Sequence, residues 1–109
     1  MSEKQLYDLK VFIWMEVFGW LPWTEEEFPH RKGWAIDGEA RIEADMDDPT
    51  TDPDAAMQVL EECLILHNGE PFEIWRGGSG IWHLGKSKAE TLPLAICLFA
   101  KELFAKEEK

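Results

Sequence analysis

The segment from Glu3 to Phe18 constrains the fold most, because its apolar residues fill two adjacent helical stripes. Leu6, Leu9, Ile13 and Val17 recur at helical spacing on one face, and Tyr7, Val11, Trp14 and Phe18 make a second stripe beside it. A helix apolar over so much of its circumference has to be covered on two sides. The cover is expected either from a sandwich built by the same chain or from a second copy packed on this helix. Gly19 is a suitable stop just past it.

The rest of the chain supplies candidates for that cover. Trp20 to Arg31 reads as a loop, broken by Pro22 and Pro29 and carrying Trp20, Trp23 and Phe28 as apolar anchors. Trp34 and Ile36 alternate before Asp37-Gly38, and Ala40, Ile42 and Ala44 alternate after it, which predicts a hairpin with a tight turn. Arg41 and Glu43 are expected to face water there. Met46 to Thr50 reads as a polar connector. A second helix is expected from Pro53 to His67, capped by Thr51 or Asp52 and ended by Asn68-Gly69. Its buried stripe would be Ala56, Val59, Leu60, Cys63 and Leu64, with Glu61 and Glu62 in solvent.

A second hairpin joins Phe72–Arg76 to Ile81–Leu84 through Gly77-Gly78-Ser79-Gly80. With the turn centred on that loop, Trp75 is expected opposite Trp82, and Ile74 opposite His83. Both faces then carry apolar side chains, so cover is expected on both. A last helix is expected from Pro93 to Ala105, capped by Thr91, with Lys106 to Lys109 frayed. The fold class predicted is α+β: a three-layer α/β/α sandwich with a small, mainly antiparallel sheet and about three helices. No repeat or linker divides residues 1–109, which predicts a single domain.

Charge narrows the functional classes. The 22 acids and 11 bases leave a net charge of −11, a field that repels a phosphate backbone and disfavours nucleic acid as a direct ligand. A hydrophobic fraction of 45% with 30% charged residues is that of a folded globule rather than a disordered chain. No apolar run is long enough to span a membrane, and the N-terminus lacks the order of a secretory signal, so a cytoplasmic location is expected. Two cysteines, Cys63 and Cys97, are too few for a disulfide scaffold.

No catalytic site stands out. Cys63 and His67 lie four apart on the second helix, and His83 and Cys97 would complete a zinc set only if the fold gathered them. The ligand spacing of a zinc module is missing, so no metal is expected. A calcium loop counted from Asp45 fails, with Thr50 where Gly is required and Ala56 where Glu is required. Gly77-Gly78-Ser79-Gly80 precedes a strand rather than the helix that a phosphate cradle needs. The three serines lie in no nucleophile elbow, and His30 and His83 have no evident carboxylate partner. The expectation is a protein that is not an enzyme and holds no cofactor.

Four stretches, in order, resemble the phage ABA sandwich domain family of small phage and prophage proteins. They are Val17-Phe18-Gly19-Trp20, Thr51-Asp52-Pro53-Asp54-Ala55-Ala56-Met57-Gln58-Val59, Phe72-Glu73-Ile74-Trp75, and Thr91-Leu92-Pro93-Leu94-Ala95-Ile96-Cys97. The last is the most specific of the four. Asp48-Pro49-Thr50 departs from the family, where an aromatic precedes the capped helix. The resemblance implies an α/β/α sandwich encoded in a phage genome and carries over no catalytic residue.

Binding hypotheses follow. The first is an accessory protein that engages a host protein with a basic surface, inhibiting a defence or nucleic-acid-processing system. Candidate contact residues are Trp23, Glu25, Glu26 and Glu27, then Asp45, Asp47 and Asp48. The second is a virion or assembly component that forms homo-oligomers through the first helix. The third is a binder of a nucleotide or small ligand, lodged where helix N-termini meet the sheet.

Overall fold

Polar residues that can satisfy a helix's orphan N–H groups stand at each helix start, and they fix where the three helices begin. A computed structural model describes residues 2–23, 33–36, 39–43, 46–66 and 73–107. Helix α1 (Glu3–Phe12) opens on a capping box. The Gln5 N–H donates to Ser2 Oγ at 3.2 Å, and the Ser2 N–H donates to Gln5 Oε1 at 2.8 Å. The helix does not run on unchanged to Phe18. Ile13–Val17 is wound as a π-helix, with the Phe18 N–H donating to the Ile13 carbonyl at 3.2 Å. Gly19 then takes φ +72°, the left-handed conformation that ends helices.

The two apolar stripes of α1 find separate cover within the chain. Leu9, Ile13 and Val17 enter the main core. Trp14 turns instead to Trp34, with ring centroids 5.3 Å apart. Trp34 belongs to a three-stranded antiparallel sheet of β1 (Leu21–Trp23), β2 (Gly33–Ile36) and β3 (Glu39–Ile42), in the order β1-β2-β3. Strand β1 replaces the start of the loop expected after Trp20; the remainder, 24–31, lies outside the described residues. Pro22 is tolerated because β1 is an edge strand. Ile36 pairs with Glu39, leaving two residues between the strands as the sequence predicts. The Asp37-Gly38 turn itself lies outside the described residues.

Glu43 does not face water as expected. Its Oε1 accepts from Tyr7 Oη at 3.1 Å and from Trp34 Nε1 at 3.0 Å. Buried Trp34 and half-buried Tyr7 each present a donor that needs an acceptor, and this carboxylate ties α1 to the sheet.

The connector before the second helix is also more deeply held than its polarity suggests. Asp48 Oδ1 accepts from the Thr50 N–H at 2.9 Å and from Thr50 Oγ1 at 2.6 Å. Pro49 is fully buried, and its carbonyl accepts from Cys97 Sγ at 3.2 Å. Helix α2 (Pro53–Leu66) follows, capped by Asp52, whose Oδ1 accepts from the Asp54 N–H at 3.0 Å. The predicted stop at Asn68-Gly69 lies outside the described residues.

A second antiparallel sheet, β4 (Ile74–Arg76), β5 (Trp82–Leu84) and β6 (Ser87–Ala89), has the order β4-β5-β6. Its first hairpin is one residue out of the expected register. Trp75 faces His83 and Arg76 faces Trp82, so no cross-strand tryptophan pair forms. The cause is the loop. The Gly80 N–H closes a turn onto the Gly77 carbonyl at 2.9 Å, and Gly80 itself adopts φ +86°. A turn followed by one left-handed glycine adds a bulge residue and shifts the pairing by one. Trp75 stacks on His83 instead, with centroids 3.9 Å apart and planes 2° from parallel. Strand β6 has no sequence signal, since Ser87-Lys88-Ala89 is short and largely polar.

Helix α3 (Leu92–Glu107) starts at Thr91, whose Oγ1 accepts from the Leu94 N–H at 3.4 Å, and continues two residues past the expected end. Residues 108–109 lie outside the described residues. The helix packs against α2, α1, the π-helical turn and strands β5 and β6. Strand β4, by contrast, is exposed along its length. The architecture is therefore mixed α+β with three helices, and its described strands form two small sheets rather than one.

Leu84, fully buried where β5 meets α3, tests this core. Leu84→Ala is expected to lower the unfolding free energy by about 2–5 kcal/mol, measured by denaturant titration. A loss below about 1 kcal/mol would mean that the sheet and α3 are not packed as described.

Candidate functional site

Helix α2 divides into two faces of opposite use. Ala56, Val59, Leu60 and Cys63 are buried in the core. The other face presents Asp54, Met57, Glu61, Leu64 and Ile65, all within an arc of roughly 120° at the helical angle per residue. Met57 and Leu64 are each 48% exposed and Ile65 is 71% exposed. Leu64 was expected in the buried stripe; the core stripe centres on Ala56 and Cys63, which turns Leu64 outward. Three apolar side chains on one helix face, interleaved with two exposed carboxylates, are more than the scatter of single exposed hydrophobes.

Acid dominates this helix. Residues 53–66 contain Asp54, Glu61 and Glu62 and no lysine or arginine. The last turn of α2 has no basic residue to complement the negative end of its dipole. An apolar, uniformly anionic face has the composition of a surface that receives a basic amphipathic segment.

The residues singled out in the sequence fall elsewhere. The side chain of Trp23, together with Glu25, Glu26, Glu27 and Asp45, lies outside the described residues. Asp47 is exposed. Asp48 is committed internally: besides its bonds to Thr50, its Oδ2 lies 3.8 Å from Lys10 Nζ. The α2 face was missed because Leu64 was assigned to the core stripe and Met57 and Ile65 were given no role. The signal that could have found it is an apolar residue at three and at four positions past Glu61, on the side away from Ala56.

A second concave feature lies where the π-helical turn, the β1-β2-β3 sheet and the start of α2 meet. It encloses about 230 Å³ and is lined by Trp14, Phe18, Trp20, Arg41, Asp47 and Gln58, among others. The Trp20 N–H donates to the Trp14 carbonyl at 2.9 Å, and Phe18 stacks on Trp20 with centroids 4.8 Å apart. π-Helical turns inside α-helices are frequent at functional sites.

The described members of the zinc set, Cys63, His83 and Cys97, are not gathered. Among the described residues no group of three or more His, Cys, Asp or Glu side chains has a metal-binding arrangement. Cys63 and Cys97 are buried as free thiols on α2 and α3, while His83 stacks on Trp75; His67 lies outside the described residues. Burial, reinforced by Glu62, pushes the Cys63 thiol up to about 12. Burial does the same to Cys97, also to about 12, with Asp48 and Cys63 adding to it. Such thiols are poor nucleophiles at neutral pH. No helix of the described residues is long and apolar enough to cross a membrane.

Comparison of the chain with protein-family models, with curated proteins and with solved structures finds no match. The likeness to the phage ABA sandwich domain family is accordingly a resemblance of four sequence stretches and nothing more.

The cysteines give a pH prediction. In the unfolded chain a thiol ionises near its ordinary 9.0, whereas the folded chain holds both protonated up to about 12. The unfolded state therefore sheds protons first, and the cysteines' share of stability, full below pH 9, is lost between about pH 9 and 12. Urea titrations across that range should show stability falling, and falling less in the Cys63→Ala/Cys97→Ala double variant. Equal slopes would show that the thiols are not buried as described.

Proposed function

We propose that this chain is a small acidic binding protein, not an enzyme, whose α2 face docks a basic amphipathic segment of a partner protein. The observation that carries the reading is the row Met57, Leu64 and Ile65 interleaved with Asp54 and Glu61. Apolar side chains supply the area removed from water on docking, and the acids select cationic over neutral or anionic partners. The net charge of −11 extends that selection to long range and accelerates encounter with a basic surface.

A homodimer through the same face is disfavoured. A two-fold axis sets each patch against its own copy, which would bring Asp54 and Glu61 rows together without a cation on either helix. Nor does α1 need a second copy, since Trp14 is covered by Trp34 and Leu9 and Ile13 by the core. The likeness to small phage proteins supports a host protein of the bacterial cytoplasm as the partner, with inhibition of a defence or nucleic-acid-processing system as the outcome of docking.

The test uses a synthetic helical peptide of alternating leucine and lysine faces, with a glutamate-for-lysine version as control, followed by fluorescence anisotropy. The cationic peptide should bind, more weakly as salt rises, and the anionic control should not. Ile65→Glu should weaken binding at least tenfold, about 1.4 kcal/mol. That result separates docking from simple charge attraction, since the variant is more acidic than the parent. Ile65 is exposed enough that the variant should stay folded, to be verified by circular dichroism. Equal binding by parent and variant, or a parent dimer that Ile65→Glu dissolves, would overturn the proposal.

A further inference from the structure

We infer, building on the docking role proposed for the α2 face, that Met57 is the oxidation site of that face. Its thioether takes one oxygen atom from hydrogen peroxide, and the sulfoxide so formed closes the face to a cationic amphipathic partner.

The sulfur atoms of the chain are unevenly protected. Cysteine is ordinarily the side chain an oxidant attacks first, through its thiolate. Here Cys63 and Cys97 are both fully buried, and Cys97 Sγ is turned inward onto the Pro49 carbonyl at 3.2 Å. Burial pushes both thiols up to about 12, so neither offers a thiolate at neutral pH. A peroxide in solution therefore meets methionine. Of the described methionines, Met46 is half-buried, whereas Met15 is 38% exposed and Met57 is 48% exposed.

Placement separates the two exposed ones. Met15 belongs to the π-helical turn and not to the α2 face. Met57 stands within that face, with Asp54 three residues before it and Glu61 four after, the spacings at which helical side chains are neighbours. Leu64 and Ile65, the other apolar side chains of the face, have no atom that peroxide oxidises in this way.

The step balances without a cofactor. A sulfur lone pair attacks one peroxide oxygen, the O–O bond breaks, and the departing hydroxide removes the proton from the oxygen now on sulfur and leaves as water. Sulfur gives up two electrons and peroxide gains them. The product changes what the face can do. As a thioether, Met57 is apolar, flexible and polarisable, and moulds to an apolar partner. As a sulfoxide it places a polar oxygen in the area that docking removes from water, opposite apolar side chains with no donor to offer. Enzymatic reduction of the sulfoxide reverses the change.

The full chain would be treated with hydrogen peroxide, oxygen uptake mapped by peptide mass spectrometry, and binding of the cationic leucine–lysine peptide followed by anisotropy before and after. Met57 should gain one oxygen before either cysteine is modified, and the oxidised chain should bind at least about fivefold more weakly with its circular dichroism unchanged. Methionine sulfoxide reductase should restore binding. Met57→Leu, a swap of similar volume at an exposed position, should bind like the untreated parent and go on binding after the same treatment, even with Met15 oxidised. Binding that survives oxidation of Met57, a loss that also occurs in Met57→Leu, a loss accompanied by unfolding, or cysteines oxidised ahead of Met57 would overturn this inference alone. An untreated parent that ignores the peptide would overturn the docking role and this inference with it.

Discussion

The main core of the described residues is arranged around the burial of α3. Ala95, Ile96, Cys97, Phe99 and Ala100 are all buried, and at the helical angle per residue they span roughly 200° of the helix circumference. Helices α1 and α2 and strands β5 and β6 share that arc. Three of the five residues are small, which lets neighbouring backbones approach closely. The Cys97 thiol extends the hold to the loop before α2 through the Pro49 carbonyl. Because α3 takes the central place, α2 and α1 are each left with a face that the main core does not cover.

The two faces that the main core does not cover are resolved differently. For α1 the second stripe is largely aromatic, and its Trp14 and Tyr7 are answered within the chain by Trp34 and the Glu43 carboxylate. For α2 no described residue covers Met57, Leu64 and Ile65, and the exposed carboxylates of Asp54 and Glu61 stand among them. Exposed apolar area interleaved with one sign of charge resists self-association while leaving the area open to a partner of the other sign.

Much of the fold was legible because it is written in local chemistry. The positions of all three helices follow from apolar periodicity, and two of their caps, Asp52 and Thr91, follow from side chains able to accept a backbone N–H. The two hairpins follow from glycine-bearing turns between alternating segments. What escaped depends on tertiary geometry. A one-residue bulge at Gly80 is invisible to composition, yet it exchanges the Trp75 partner from Trp82 to His83. The π-helical turn carries no residue signature, since Ile13 to Val17 would serve equally in an α-helix. Strand β6 is too short and polar to announce itself. The α2 face was hidden for another reason: apolar residues on a helix are assigned to the core by default, and only the direction in which Ala56 and Cys63 point decides otherwise.

The α2 face illustrates how a surface can have definite chemistry without a reactive group in it. A reactive site needs a group whose protonation is tuned to its task, and the thiols, the side chains here pushed furthest from their ordinary range, are pushed away from reactivity. Recognition needs less: a preformed surface, area to remove from water, and charge to reject wrong partners. The cap at Asp52 fixes where α2 begins and hence which way its outer face looks.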